Sequence, residues 1–186
     1  LSGLVGSEMC IRDRLQLGLA VISLGLASST VFAAADGTVT ITGQVLDQTC
    51  TVTNGNNYVV PLPTVLASTL STANATAGDT KFTINLTTCP KGDVGIYYDN
   101  TNANTNAAGR LKNTIAGGSN VEVQLLNSTK TPIDLTKTSS GQNIVTANVA
   151  SANGSANIDF FARYFAAAAA TAGKVSTSVT YYIVYP

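Results

Sequence analysis

The chain has 186 residues, ten of them basic and ten acidic, a formal net charge of zero and no histidine. Sparse, balanced charge offers no basic patch to nucleic acid or to an anionic membrane surface, and the missing histidine removes the usual general base of neutral-pH catalysis. What is left for the surface is Thr, Asn, Ser, Ala and Gly, the composition of an extracellular β protein with small polar strand faces and turn-rich loops.

Residues 1–35 read as a secretory signal. Arg12 and Arg14 precede an apolar run over 15–26, and the small-residue tract Ala33-Ala34-Ala35 follows. The apolar run is short for a membrane span. Cleavage after Ala35 fits the small-residue rule, with Ala33 as the alternative site. The stretch up to Arg14 does not begin with Met, and no function is read into it. Removing the signal leaves about 150 residues, enough for one domain with a sizeable core.

Residues 36–50, Asp36-Gly-Thr-Val-Thr-Ile-Thr-Gly-Gln-Val-Leu-Asp-Gln-Thr-Cys50, alternate polar and apolar. Val39, Ile41, Gly43 and Val45 then share one face of an extended strand, and β-branched Thr38, Thr40 and Thr42 on the other face favour that backbone. The strand lies at what becomes the free N-terminus, where chains fray unless tied down. Two readings stay open on this stretch: the first strand of an ordinary sandwich, or a plug made to fit a groove.

Cys10 falls in the removed segment, so Cys50 and Cys89 remain as an even pair in an oxidising compartment, which reads as a disulfide. A metal pair is the competing reading, and with no histidine and no third cysteine it lacks ligands.

Further along, Asn54-Gly55-Asn56-Asn57 signals a turn, and two prolines confine residues 58–63 to an edge or a strand end. Small residues over 67–78 predict a loop crossing between sheets. Phe82, Ile84 and Leu86 alternate in a strand that ends at Cys89. Other strands are predicted at 94–98, 121–126, around Ile133 and Leu135, at 144–149 and at 156–165, where Ile158, Phe160, Ala162 and Tyr164 line one face. The alanine run 166–170 reads as a loop or a single turn. The chain ends on an alternating strand over 175–186, with Val179, Tyr181, Ile183 and Tyr185 in one row. Short strands at this spacing, without an amphipathic helix, indicate an all-β antiparallel sandwich.

Enzyme constellations are nearly absent. The carboxylates Asp36, Asp47, Asp79, Asp93, Asp99, Glu122, Asp134 and Asp159 are scattered. Two of them meeting as a glycosidase pair is one reading; solvated surface carboxylates are the default. The expectation is a protein that is not an enzyme and needs no cofactor or metal.

With both ends read, the chain resembles the structural pilin subunits of type 1-like chaperone–usher fimbriae. The stretch Gly37-Thr-Val-Thr-Ile-Thr-Gly-Gln-Val resembles that family's N-terminal extension, including a glycine among the apolar positions, here Gly43. Cys50 and Cys89 match its disulfide in spacing and placement. Tyr185 is its penultimate tyrosine, and Gly173 its glycine about a dozen residues earlier. Phe161-Ala-Arg-Tyr164 followed by Thr171-Ala-Gly173 resembles its penultimate strand and loop. Pro186 departs from the polar last residue commoner there.

The resemblance implies an immunoglobulin-like sandwich over 48–186 that lacks its last strand, with 36–47 as a donor-strand extension. It implies that Val39, Ile41, Gly43 and Val45 enter a neighbouring subunit. It also implies that Gly173, Val179, Tyr181, Ile183 and Tyr185 flank the acceptor groove and meet a periplasmic chaperone before an outer-membrane usher exchanges it. The implied function is a subunit of a surface fimbrium that supports cell adhesion, secreted through the periplasm. The alternatives are a minor adaptor of the same fimbria, or a secreted carbohydrate-binding sandwich, which the absence of tryptophan for a sugar platform disfavours.

Overall fold

The computed structural model describes residues 37–53, 55 and 57–186; the expected signal peptide lies outside them. The chain divides into two units between Gly43 and Gln44, and every strand lies in the second. Among the described residues eight strands run in the order β1 (Thr51–Val52), β2 (Thr76–Cys89), β3 (Gly92–Tyr98), β4 (Leu111–Lys112), β5 (Glu122–Leu126), β6 (Thr146–Val149), β7 (Gly154–Phe165) and β8 (Tyr181–Val184). Two short 3-10 turns, Ala67–Leu70 and Ser139–Gly141, are the helical elements of the described residues.

The strands form a five-stranded sheet, β1-β2-β7-β5-β4, and a three-stranded sheet, β6-β3-β8, with every pairing antiparallel. Period-two alternation sends Ile84 and Leu86 of β2, Val123 and Leu125 of β5, and Ile158, Phe160 and Ala162 of β7 to one side of the large sheet. Val94, Ile96 and Tyr98 of β3 face them in a single core. Tyr98 meets Phe160 edge to face across the layers at 5.3 Å, and Phe160 stacks on Phe82 at 5.6 Å. Aromatic pairs in these geometries add to what area burial alone contributes.

Alternation through Phe82, Ile84 and Leu86 would bring Thr88 inward and turn Cys89 outward. The register instead shifts between Leu86 and Cys89, with Thr88 at φ 52°. That bulge adds one residue, reverses the parity and turns Cys89 into the core, where it is fully buried. The disulfide to Cys50 closes there, over a separation of 39 residues.

Several expectations need correction. Residues 37–50 contain no strand, because none of their main chain finds a ladder partner within the chain; pairing begins only at Thr51. The crossing over 67–78 is shorter than predicted: the 3-10 turn seats Leu70 in a small cluster with Val121 and Ala166, and β2 has begun by Thr76. Ile133 and Leu135 are buried but lie outside any strand, anchored by single bonds to the carbonyls of Leu125 and Gly109. Strand β4 was not anticipated, being two residues long, and the terminal strand is confined to Tyr181–Val184.

Candidate functional site

The two sheets part along an opening over their core. Residues 57–62 form one wall and residues 175–181 the other. The floor is Phe82, Ile84, Tyr98, Leu125, Ala162 and Tyr164, and the space between has a volume of about 660 Å³. A second recess of about 670 Å³ continues past Val179 and Tyr181 to Ile183 and Tyr185. Among the described residues no Asp, Glu, Lys or Arg lines either.

The wall at 175–180 is a half-paired strand. The carbonyl of Lys174 accepts from Ser119 N–H and that of Ser176 from Thr114 N–H, while Ser176 N–H donates to the Asn113 side chain. The carbonyl of Thr180 accepts from Asp99 N–H. Main-chain groups of successive residues point to opposite edges of a strand, so those of Val175, Thr177 and Val179 face the opening. Among the described residues no backbone hydrogen bond joins this wall to 57–62. An unpaired edge beside an apolar floor is what a sheet lacking one strand presents.

Of the expected groove residues, Val179, Tyr181, Ile183 and Tyr185 are all half-buried and packed against the core. Val179 and Tyr181 line the main opening, and all four line the recess. Gly173 lies elsewhere. A Cβ there would stand 2.5 Å from Ser119 N and 2.7 Å from the Gly118 carbonyl carbon, so its missing side chain serves a close backbone crossing at the head of the wall. The opposite wall carries Tyr58, Val60 and Leu62, which two prolines and a turn signal had marked only as an edge. Their apolar side chains next to those prolines were the available clue.

Tyr58, Tyr98, Tyr164 and Tyr181 all line this space. Burial, with Tyr181 close by, pushes the Tyr98 hydroxyl well above its ordinary pKa, and burial raises that of Tyr181. Tyr98 and Tyr181 therefore stay neutral across the physiological range.

Val39, Ile41 and Val45 are 87%, 89% and 98% exposed, and no atom lies within 4 Å of where a Gly43 side chain would be.

Two antiparallel sheets with one edge open to a strand-sized groove define an incomplete immunoglobulin-like sandwich. Residues 62–186 match the family described as type-1 fimbrial protein, A. The chain is 40% identical over 158 residues to the major fimbrial subunit SMF-1 of Stenotrophomonas maltophilia (strain K279a), covering 82% of this chain and 94% of that one. It is 39% identical over 172 residues to the F17 fimbrial protein of Escherichia coli, covering 87% and 94%. Among solved structures, a chain from a chaperone–usher pilus aligns with a TM-score of 0.55 at 17% identity, over 83% of this chain and 98% of that one, which shows the shared fold. The chain belongs to the type-1 fimbrial protein family and is a structural subunit of a cell-surface fimbrium.

Proposed function

We propose that the subunit polymerises by donor-strand exchange, residues 36–47 of one copy filling the groove between 57–62 and 175–181 of the next. The observation that carries this reading is the unpaired strand edge at Val175, Thr177 and Val179 beside an uncharged apolar floor. The proposed occupant matches it. Residues 37–46 carry no charge and alternate at the period a strand edge demands. Burying Val39, Ile41 and Val45 contributes on the order of 5–9 kcal/mol before main-chain hydrogen bonds are added.

Donor segment and groove belong to different parts of each subunit, so the contact is heterologous and propagates as a fibre. Removing a strand from a completed sandwich also means opening its core, which makes the fibre kinetically stable. Before assembly a periplasmic chaperone covers the groove, and an outer-membrane usher exchanges it for the next subunit. The major-subunit description of SMF-1 supports a place in the shaft.

The reading is tested with two variants. Ile41→Asp spoils the donor and leaves the groove; Val179→Asp spoils the groove and leaves the donor. Neither should form fibres alone, and mixing them should give dimers and nothing longer. Fibres from either variant alone would refute the assignment.

A further inference from the structure

Two residues that line the groove, Tyr98 and Thr177, carry buried hydroxyls with no hydrogen-bond partner, Tyr98 Oη and Thr177 Oγ1. A buried hydroxyl left unpaired costs of the order of a lost hydrogen bond, and folded proteins rarely leave one without a reason. Tyr98 is the more constrained of the two. Its residue is only 2% exposed, its ring is held edge to face against Phe160, and its main chain is clasped by the buried amide of Gln142. Gln142 Oε1 accepts from Tyr98 N–H at 3.0 Å, and its Nε2 donates to the Tyr98 carbonyl at 2.7 Å and to that of Lys137 at 3.0 Å. The Tyr98 backbone therefore cannot withdraw to find a partner elsewhere.

Resting on the donor-strand reading, we infer that Tyr98 fixes the register of the incoming strand by donating its phenol hydrogen to the main-chain carbonyl of Gly43 of the neighbouring copy. The inward row of that strand is Val39, Ile41, Gly43 and Val45. At three of these positions a branched side chain with no polar atom stands between the floor and the strand's backbone. At Gly43 nothing does, so only there can a floor hydroxyl reach a peptide group. A carbonyl engaged in a strand ladder keeps a second lone pair for such a donor. A slip of two residues along the groove would place a valine or isoleucine over Tyr98 and leave the hydroxyl unpaired. The orphan phenol is thus satisfied in one register and left unsatisfied in the next.

The test is a double-mutant cycle on the full chain with a synthetic peptide of residues 37–47. One peptide carries the native Gly43–Gln44 amide. The other carries an ester there, which weakens the Gly43 carbonyl as an acceptor. Tyr98→Phe keeps the ring and removes the donor. The native peptide should leave the Tyr98→Phe variant roughly two- to tenfold faster than the wild type, the effect of one net hydrogen bond. The ester should speed release from the wild type by more than it does from the variant. Equal release of the native peptide from both proteins, or an ester effect of the same size in both, overturns the register assignment while leaving donor-strand capture intact. Failure of the wild type to bind the native peptide overturns the donor-strand reading itself.

Discussion

The phenol of Tyr185 and the main chain of Cys50, 135 residues apart, meet in one hydrogen bond of 2.7 Å in which the Cys50 N–H is the donor. The penultimate residue is thereby tied to the disulfide, and through it to β2, at the far end of the recess. Tyr185→Phe should remove about 1 kcal/mol of stability by leaving that N–H unpaired. Tyr185→Ser, or Ile183→Asp, should abolish capture by the chaperone because the recess loses apolar lining as well. Unaltered recovery of either variant in a chaperone complex contradicts this role.

The Cys50–Cys89 bridge closes a long loop, and the chain-entropy account assigns it about 4 kcal/mol. Cys50→Ser should lower stability by a few kcal/mol and reduce yield in the periplasm. Denaturant titration measures the first, and mass spectrometry of the non-reduced protein should find no free thiol at Cys50 or Cys89.

Gln142 takes the place of a strand beside Tyr98, beyond the point where pairing of β3 with β6 ends at Gly95. Gln142→Leu keeps the volume and orphans the N–H and C=O of Tyr98, at roughly 1–3 kcal/mol for each buried group. Urea unfolding should show a loss of about 2–6 kcal/mol with an unchanged m-value. A loss below about 0.5 kcal/mol would mean that the side chain is replaceable.

Asp159 is held below the ordinary carboxylate range by a hydrogen bond from Thr83 and by Lys81. A depressed folded-state pKa contributes stability that is present above the unfolded value near 4 and is lost as pH falls through the lower folded value. Asp159→Asn should therefore flatten the acid limb of the stability profile below about pH 4 and leave its shape near neutrality unchanged. The effect should be small, because the group is partly exposed and screened.

The interior strands were legible because each buries one side only. Phe82, Ile84 and Leu86, and Ile158, Phe160 and Ala162, alternate as their sheet requires. What escaped was whatever alternation does not encode. The bulge that turns Cys89 inward changes parity without changing composition, and Thr88, at a positive φ unusual for a β-branched residue, gives no warning in the sequence. The wall at 57–62 holds no ladder bond among the described residues, and its sequence mark is the apolar Tyr58, Val60 and Leu62 beside the two prolines. Residues 175–180 read as strand because their side chains alternate, yet their ladder is incomplete on the side where Val175, Thr177 and Val179 face the opening. At Gly173 the structure shows a backbone reason for a glycine, the main chain of Gly118 and Ser119 crossing it.

The most direct measurement is deletion of residues 37–46, followed by chaperone co-purification and by electron microscopy of fibres. The sandwich begins its pairing at Thr51 and its core is built from Cys50 onward, so the shortened subunit should fold and be captured as well as the full one. It should then form no fibres, having nothing to place in a neighbour's groove. A deletion that abolishes chaperone capture, or one that leaves fibres intact, contradicts donor-strand exchange through this segment.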